Sequence, residues 1–144
     1  MKKIFLVLVA IIGITMSGCG KNNDEIDFTV GFKNMDFWLG QDTEAIVNTA
    51  EEWNVLKPNS ATITEFDNYG SEFFATNSLI VYVFTRSWGN PQVEVIKVNK
   101  SENELVLNVV HFDGDSATIS HGIVVVEVKK VDIVSVNSLR VIGK

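Results

Sequence analysis

Apolar residues along this chain repeat first in steps of two, then briefly in helical steps, then in steps of two again. Ile26, Phe28, Val30 and Phe32 alternate with Asp27, Thr29, Gly31 and Lys33. That period fits a strand, or the last part of a tether that starts at the polar stretch Gly20 to Glu25. Both readings stay open. Glu44 to Asn48 reads as a short strand running into a helix at Thr49. Thr49-Ala50-Glu51-Glu52 has the form of a capping box, in which the threonine oxygen accepts from the backbone three residues on and Glu52 reaches back. Trp53 and Leu56 share one face of this helix, and Pro58 ends it. Phe66, Tyr69, Phe73 and Phe74 follow at helical spacings, with Asp67 placed to cap. This aromatic stripe reads as the buried side of a short helix in preference to a ligand platform. Gly70 weakens that helix and allows an irregular turn in its place.

From Leu79 the pattern is one of strands. Leu79 to Thr85 is a continuous apolar run, suited to a central strand buried on both faces. Val93 to Val98 and Glu104 to Val110 flank the polar stretch Asn99 to Asn103, a hairpin pattern without an Asn-Gly turn to set its register. Ile123 to Val128 is a further strand, and Val134 to Ile142 another. The expected class is α+β: an antiparallel or mixed sheet of about five or more strands with one or two short helices packed on it. No internal repeat, heptad or low-complexity block interrupts the pattern.

The first residues follow a different logic. Lys2 and Lys3 precede an apolar stretch from Ile4 to Met16, which leads into Met16-Ser17-Gly18-Cys19. This is the form of a bacterial lipoprotein signal peptide, cut before Cys19, whose thiol carries lipid. The stretch falls short of the roughly 20 apolar residues that a spanning helix needs. Residues 1–18 are thus expected to be signal peptide, 19–35 the lipidated cysteine and tether, and 36–144 a single globular domain. A flexible segment from Gly20 to Met35 would have a root-mean-square span of about 20 Å. Location follows: the outer face of the cytoplasmic membrane, or the outer membrane where one exists.

Charge and cysteine content narrow the partners. The formal net charge is -6, and loss of Lys2 and Lys3 takes it to -8 before the new terminus is counted. Such an acidic surface argues against nucleic acid and against lying flat on anionic lipid, so lipid on Cys19 must supply the membrane contact. With the only cysteine consumed, the mature domain has no thiol for a disulfide, a thiolate metal site or a nucleophile.

His111, Asp113, Asp115 and His121 could supply metal ligands, but they lack the EF-hand pattern and the two-histidine helix spacing of zinc proteases. Asp-Gly between strands is also an ordinary turn. No Gly-x-Ser-x-Gly elbow, Walker loop or dinucleotide fingerprint occurs, so neither an enzyme nor a cofactor is expected. Arg86-Ser87-Trp88-Gly89-Asn90-Pro91 joins two strands and carries Arg86 and Trp88, residue types common at interface anchors. Trp88 fits a partner contact and a lid over the core equally.

Ile46-Val47-Asn48-Thr49-Ala50-Glu51-Glu52-Trp53 resembles the opening strand and helix of the PrcB C-terminal family, named for a protease-complex subunit. Tyr69-Gly70-Ser71-Glu72-Phe73-Phe74, Asn77 to Val81, and Val125 to Lys130 are similar to its tyrosine, paired phenylalanines and later strands. The resemblance spans residues 44–130. It departs from the family at Trp88, where smaller residues are usual, and from His111 to His121. It implies an accessory domain that assists a protease, with no catalytic residues to carry over. The expected function is a membrane-anchored, non-enzymatic domain that binds another envelope or secreted protein. The alternative is a lipoprotein that binds a small ligand or metal through the segment from His111 to His121.

Overall fold

The computed structural model describes residues 24–34, 40–57, 64–87, 92–112, 114 and 117–143. In chain order these give β1 (Glu25–Ile26), β2 (Phe28–Asn34), β3 (Thr43–Val47), α1 (Ala50–Leu56), β4 (Asn77–Arg86), β5 (Gln92–Ser101), β6 (Glu104–Phe112), β7 (Ser120–Lys129) and β8 (Ser138–Gly143). Short 3-10 turns occupy Thr64–Asn68, Phe73–Ala75 and Lys130–Ile133. The α+β expectation holds. The strands divide between two four-stranded sheets, one ordered β2-β7-β4-β3 and antiparallel throughout, the other ordered β1-β5-β6-β8 with β6 and β8 parallel.

The apolar run in β4 explains this layering. Ile80 and Phe84 point toward the second sheet and pack with Val93, Val98, Leu105 and Leu107. Leu79, Val81 and Val83 point the other way and pack with Trp53, Phe66, Tyr69 and Phe74. β7 does the same, with Val124 and Val126 in the intersheet core and Ile123 and Val125 under the helical layer. A strand apolar at successive positions needs cover on both faces. Here a second sheet provides one cover, and α1 with the aromatic turns provides the other.

At the N-terminus the strand reading is the one observed. Glu25 and Ile26 pair with Asn99 and Val98 of β5, and Phe28 to Asn34 pair along β7. The folded domain therefore includes residues 25–34, which the tether reading places outside it. Alternating side chains satisfied by neighbours on both sheets account for the difference.

The capping box forms with one change. Thr49 Oγ1 accepts from the Glu52 N–H at 3.1 Å, while Glu52 Oε2 accepts from the Asn48 N–H at 2.7 Å. Trp53 is the buried anchor of α1, and its ring N–H donates to the Phe66 carbonyl at 3.1 Å. Helix α1 ends at Leu56, and Pro58 lies outside the described residues. The aromatic stripe takes the irregular form. Phe66 and Phe74 lie in separate 3-10 turns, with Gly70 between them. The rings of Phe66 and Tyr69 meet Trp53 edge to face, with centroids 5.2 and 5.5 Å away. Asp67 sits inside its turn and not at its start, and pairs with Lys57 at 3.6 Å.

Two boundaries also move. The β5–β6 hairpin zips up to Ser101 opposite Glu104, so Asn99 to Ser101 are strand and only Glu102 and Asn103 turn. Asn108 donates to the Asn99 side-chain oxygen at 3.3 Å, which makes a polar pair within the ladder. Glu102 takes a left-handed φ of 54°. Near the C-terminus the chain makes a 3-10 turn and then a bend at Ser135 (φ 71°), so the last strand starts at Ser138 and not at Val134.

Candidate functional site

Of the residues singled out in the sequence, Arg86, His111 and His121 are described, and they lie at one end of the sandwich with the two histidines on opposite faces of the antiparallel sheet. β6 carries His111 into the space between the sheets. Its ring packs edge-on against Phe84 (4.8 Å between centroids), and its Nε2 lies 3.2 Å from the Tyr82 hydroxyl. The Tyr82 hydroxyl is held above its ordinary pKa by burial first; Arg86 opposes the shift, and Glu44 and Asp42 add to it. Arg86 is half-buried at the end of β4, and its guanidinium and the His111 ring both approach Gly143 of β8.

His121 lies across the sheet from His111. It pairs in register with Thr85, whose side chain has the parity of Val81 and Val83, the residues under the helical layer. Thr85 Oγ1 donates to Asp42 Oδ1 at 2.7 Å and lies 3.0 Å from His121 Nδ1. A threonine hydroxyl has one proton, here directed to Asp42, so His121 Nδ1 must carry the hydrogen that the hydroxyl oxygen accepts. These bonds link the residue before β3 to β4 and β7.

The two imidazoles therefore do not converge on one site. The chain crosses from one sheet to the other between β6 and β7, which puts the body of the antiparallel sheet between them. His111 and His121, which the sequence offered only as candidate ligands, thus face different sides of the antiparallel sheet. Asp113, Asp115 and Trp88 lie outside the described residues, as does Cys19. Among the described residues no group of three or more His, Cys, Asp or Glu side chains is placed to hold a metal ion. Likewise among them, no helix is long and apolar enough to cross a membrane.

A second feature lies at the edge of the same sheet. β3 is its terminal strand, and α1 runs beside it. Between them is a groove of about 430 Å³, lined by Ala45, Ile46, Val47, Val55 and Leu56 with Glu51 and Glu52 at its rim. Val55 is 88% exposed. On the sandwich side of β3 a more polar cleft of about 260 Å³ lies between Glu44, Ile46 and Asn48 and the segment Val136 to Leu139. Ser78, fully buried, donates to Asn48 Oδ1 at 2.7 Å and fixes that side chain. Glu44 Oε2 accepts from the Val141 N–H at 3.3 Å, so β3 caps the edge of β8.

The sequence carried one trace of this groove. Val55 falls off the face shared by Trp53 and Leu56, an apolar residue where a surface helix normally turns polar. What it could not show is that α1 would lie along an edge strand.

A third polar pair lies under the aromatic layer. Tyr69 Oη donates to Glu127 Oε1 at 3.0 Å, directly over the α-carbon of Gly31. A side chain at Gly31 would run into both partners, and the β2 ladder is bulged between Val30 and Phe32. Burial foremost, then the charge and hydrogen bond of Glu127, raise the Tyr69 hydroxyl well above its usual range. With this partner satisfied, the pair is a structural bond between β7 and the aromatic layer. No family model, curated protein or solved structure matches the chain.

Proposed function

We propose that this chain is a lipid-anchored, non-enzymatic domain that binds another protein of the cell envelope or a secreted protein. The observation that carries this reading is the apolar groove between β3 and α1, with Val55 standing open at its wall. A branched aliphatic side chain left in water beside an apolar groove is the kind of surface that protein partners cover. The anchor rests on Lys2, Lys3, the apolar stretch to Met16 and Cys19. The resemblance to the PrcB C-terminal family supports a protease as the partner.

The test is a photo-crosslinking amino acid placed at Val55 in intact cells, with a second placed at Val131, which is 72% exposed on the 3-10 turn Lys130–Ile133 and lines neither recess. A discrete adduct to one envelope or secreted protein from position 55, absent from position 131, is expected. No specific adduct from position 55 would overturn the reading.

A further inference from the structure

We propose that the partner binds by adding a strand to the free edge of β3, and that the added segment alternates apolar residues with lysine or arginine. This rests on the protein-binding reading above and names the chemistry of its partner.

Edge strands in folded proteins are usually guarded by bulges, charges or brevity. Three of the four sheet edges here follow that rule. β1 is two residues long. β2 is bulged, and Lys33 at its far end donates to the Val93 carbonyl of the opposite sheet at 3.2 Å. β8 has its Val141 N–H taken by Glu44. β3 differs: its five residues pair with β4 in unbroken register from Thr43 to Val47. Among the described residues the backbone groups on its other side have no hydrogen-bond partner. An extended polypeptide is the ligand whose own N–H and C=O groups complete such an edge.

Side chains of an added strand would alternate between the two faces of β3. Those directed to the α1 side enter an apolar groove floored by Ala45 and Val47 and walled by Val55, which suits branched aliphatic residues. Those directed to the other side meet Glu44 and Asn48. Among the described residues, Glu44, Glu51 and Glu52 are the charged residues lining the two recesses, and no lysine or arginine lines either one. Hydrogen bonds from Asn48 and Val141 orient two of these carboxylates without a countercharge. Carboxylates on both sides of the edge, Glu44 on one and Glu51 and Glu52 on the other, select a segment of the opposite sign and suppress acidic competitors.

The experiment uses the full chain and a capped peptide of about seven residues alternating valine with lysine. Three comparison peptides replace lysine by glutamate, or carry N-methyl groups on every second residue along one edge or along the other. The alternating basic peptide should bind and slow amide hydrogen exchange in β3. One N-methyl series and not the other should lose binding by about tenfold or more, because only one edge faces β3. V55K and E51K, both at solvent-facing positions, should each weaken binding by a similar factor with the fold intact by circular dichroism. Equal binding by both N-methyl series, or unchanged exchange in β3, overturns the inference, as does equal binding of the glutamate peptide. An adduct from position 55 in cells, with no peptide bound, leaves the protein-binding domain standing and removes strand addition. Absence of both removes both.

Discussion

At the residue scale, Gly31 and Tyr69 show how one backbone position serves a side-chain bond. The bulge at Gly31 leaves room for the Tyr69 hydroxyl over β2, and that hydroxyl reaches Glu127 on the neighbouring strand. Because burial holds Tyr69 protonated in the folded state, its contribution is complete below its ordinary value near 10. The unfolded chain loses this proton first as pH rises, so stability falls with increasing pH from about 10 upward. Tyr69→Phe should cost about 1–2 kcal/mol at neutral pH and remove most of that alkaline decline. Tyr82 shifts in the same direction, so a shallower slope should remain. Urea midpoints of both proteins between about pH 8 and 11 measure this, and identical slopes would refute it.

At the element scale, α1 is short, and its hold on the molecule depends on its two ends. The reciprocal bonds of Thr49 and Glu52 tie its start to the end of β3, and Trp53 fastens it to the aromatic turns. Thr49→Ala should cost about 1 kcal/mol in a denaturant titration. It should also loosen the wall of the groove, read as faster exchange of the amides from Glu52 to Val55. The helix start and most strands were legible in the sequence because their causes are local: a cap, a proline, a period of two. The division into two sheets was not. Val93 to Val98 and Ile123 to Val128 have similar patterns yet belong to different sheets, and only long-range pairing decides between them. For the same reason the sequence could not show that the crossover from β6 to β7 sets His111 and His121 on different faces. The groove beside β3 was hidden for a related reason, since Ala45 signals nothing and Val55 gives only an off-face apolar residue until the helix is docked.

At the scale of the whole molecule, the proposed anchor and the sandwich make separable predictions. Cys19→Ser should move the protein from the membrane fraction to the soluble fraction on cell fractionation, and mass spectrometry should find no lipid on its N-terminal peptide. A variant still sedimenting with membranes would remove Cys19 as the attachment point. The entry of the chain into the fold has a mechanical consequence. β1 joins one sheet and β2, after Asp27 alone, joins the other. A pull on the residues before Asp24 is therefore not borne by a single sheet. It loads the bond from Lys100 N–H to the Asp24 carbonyl first, then the two pairs of β1, and only then the longer ladder of β2. The N-terminal segment thus works as a graded clasp: light tension can peel β1 away while the seam along β7 stays closed.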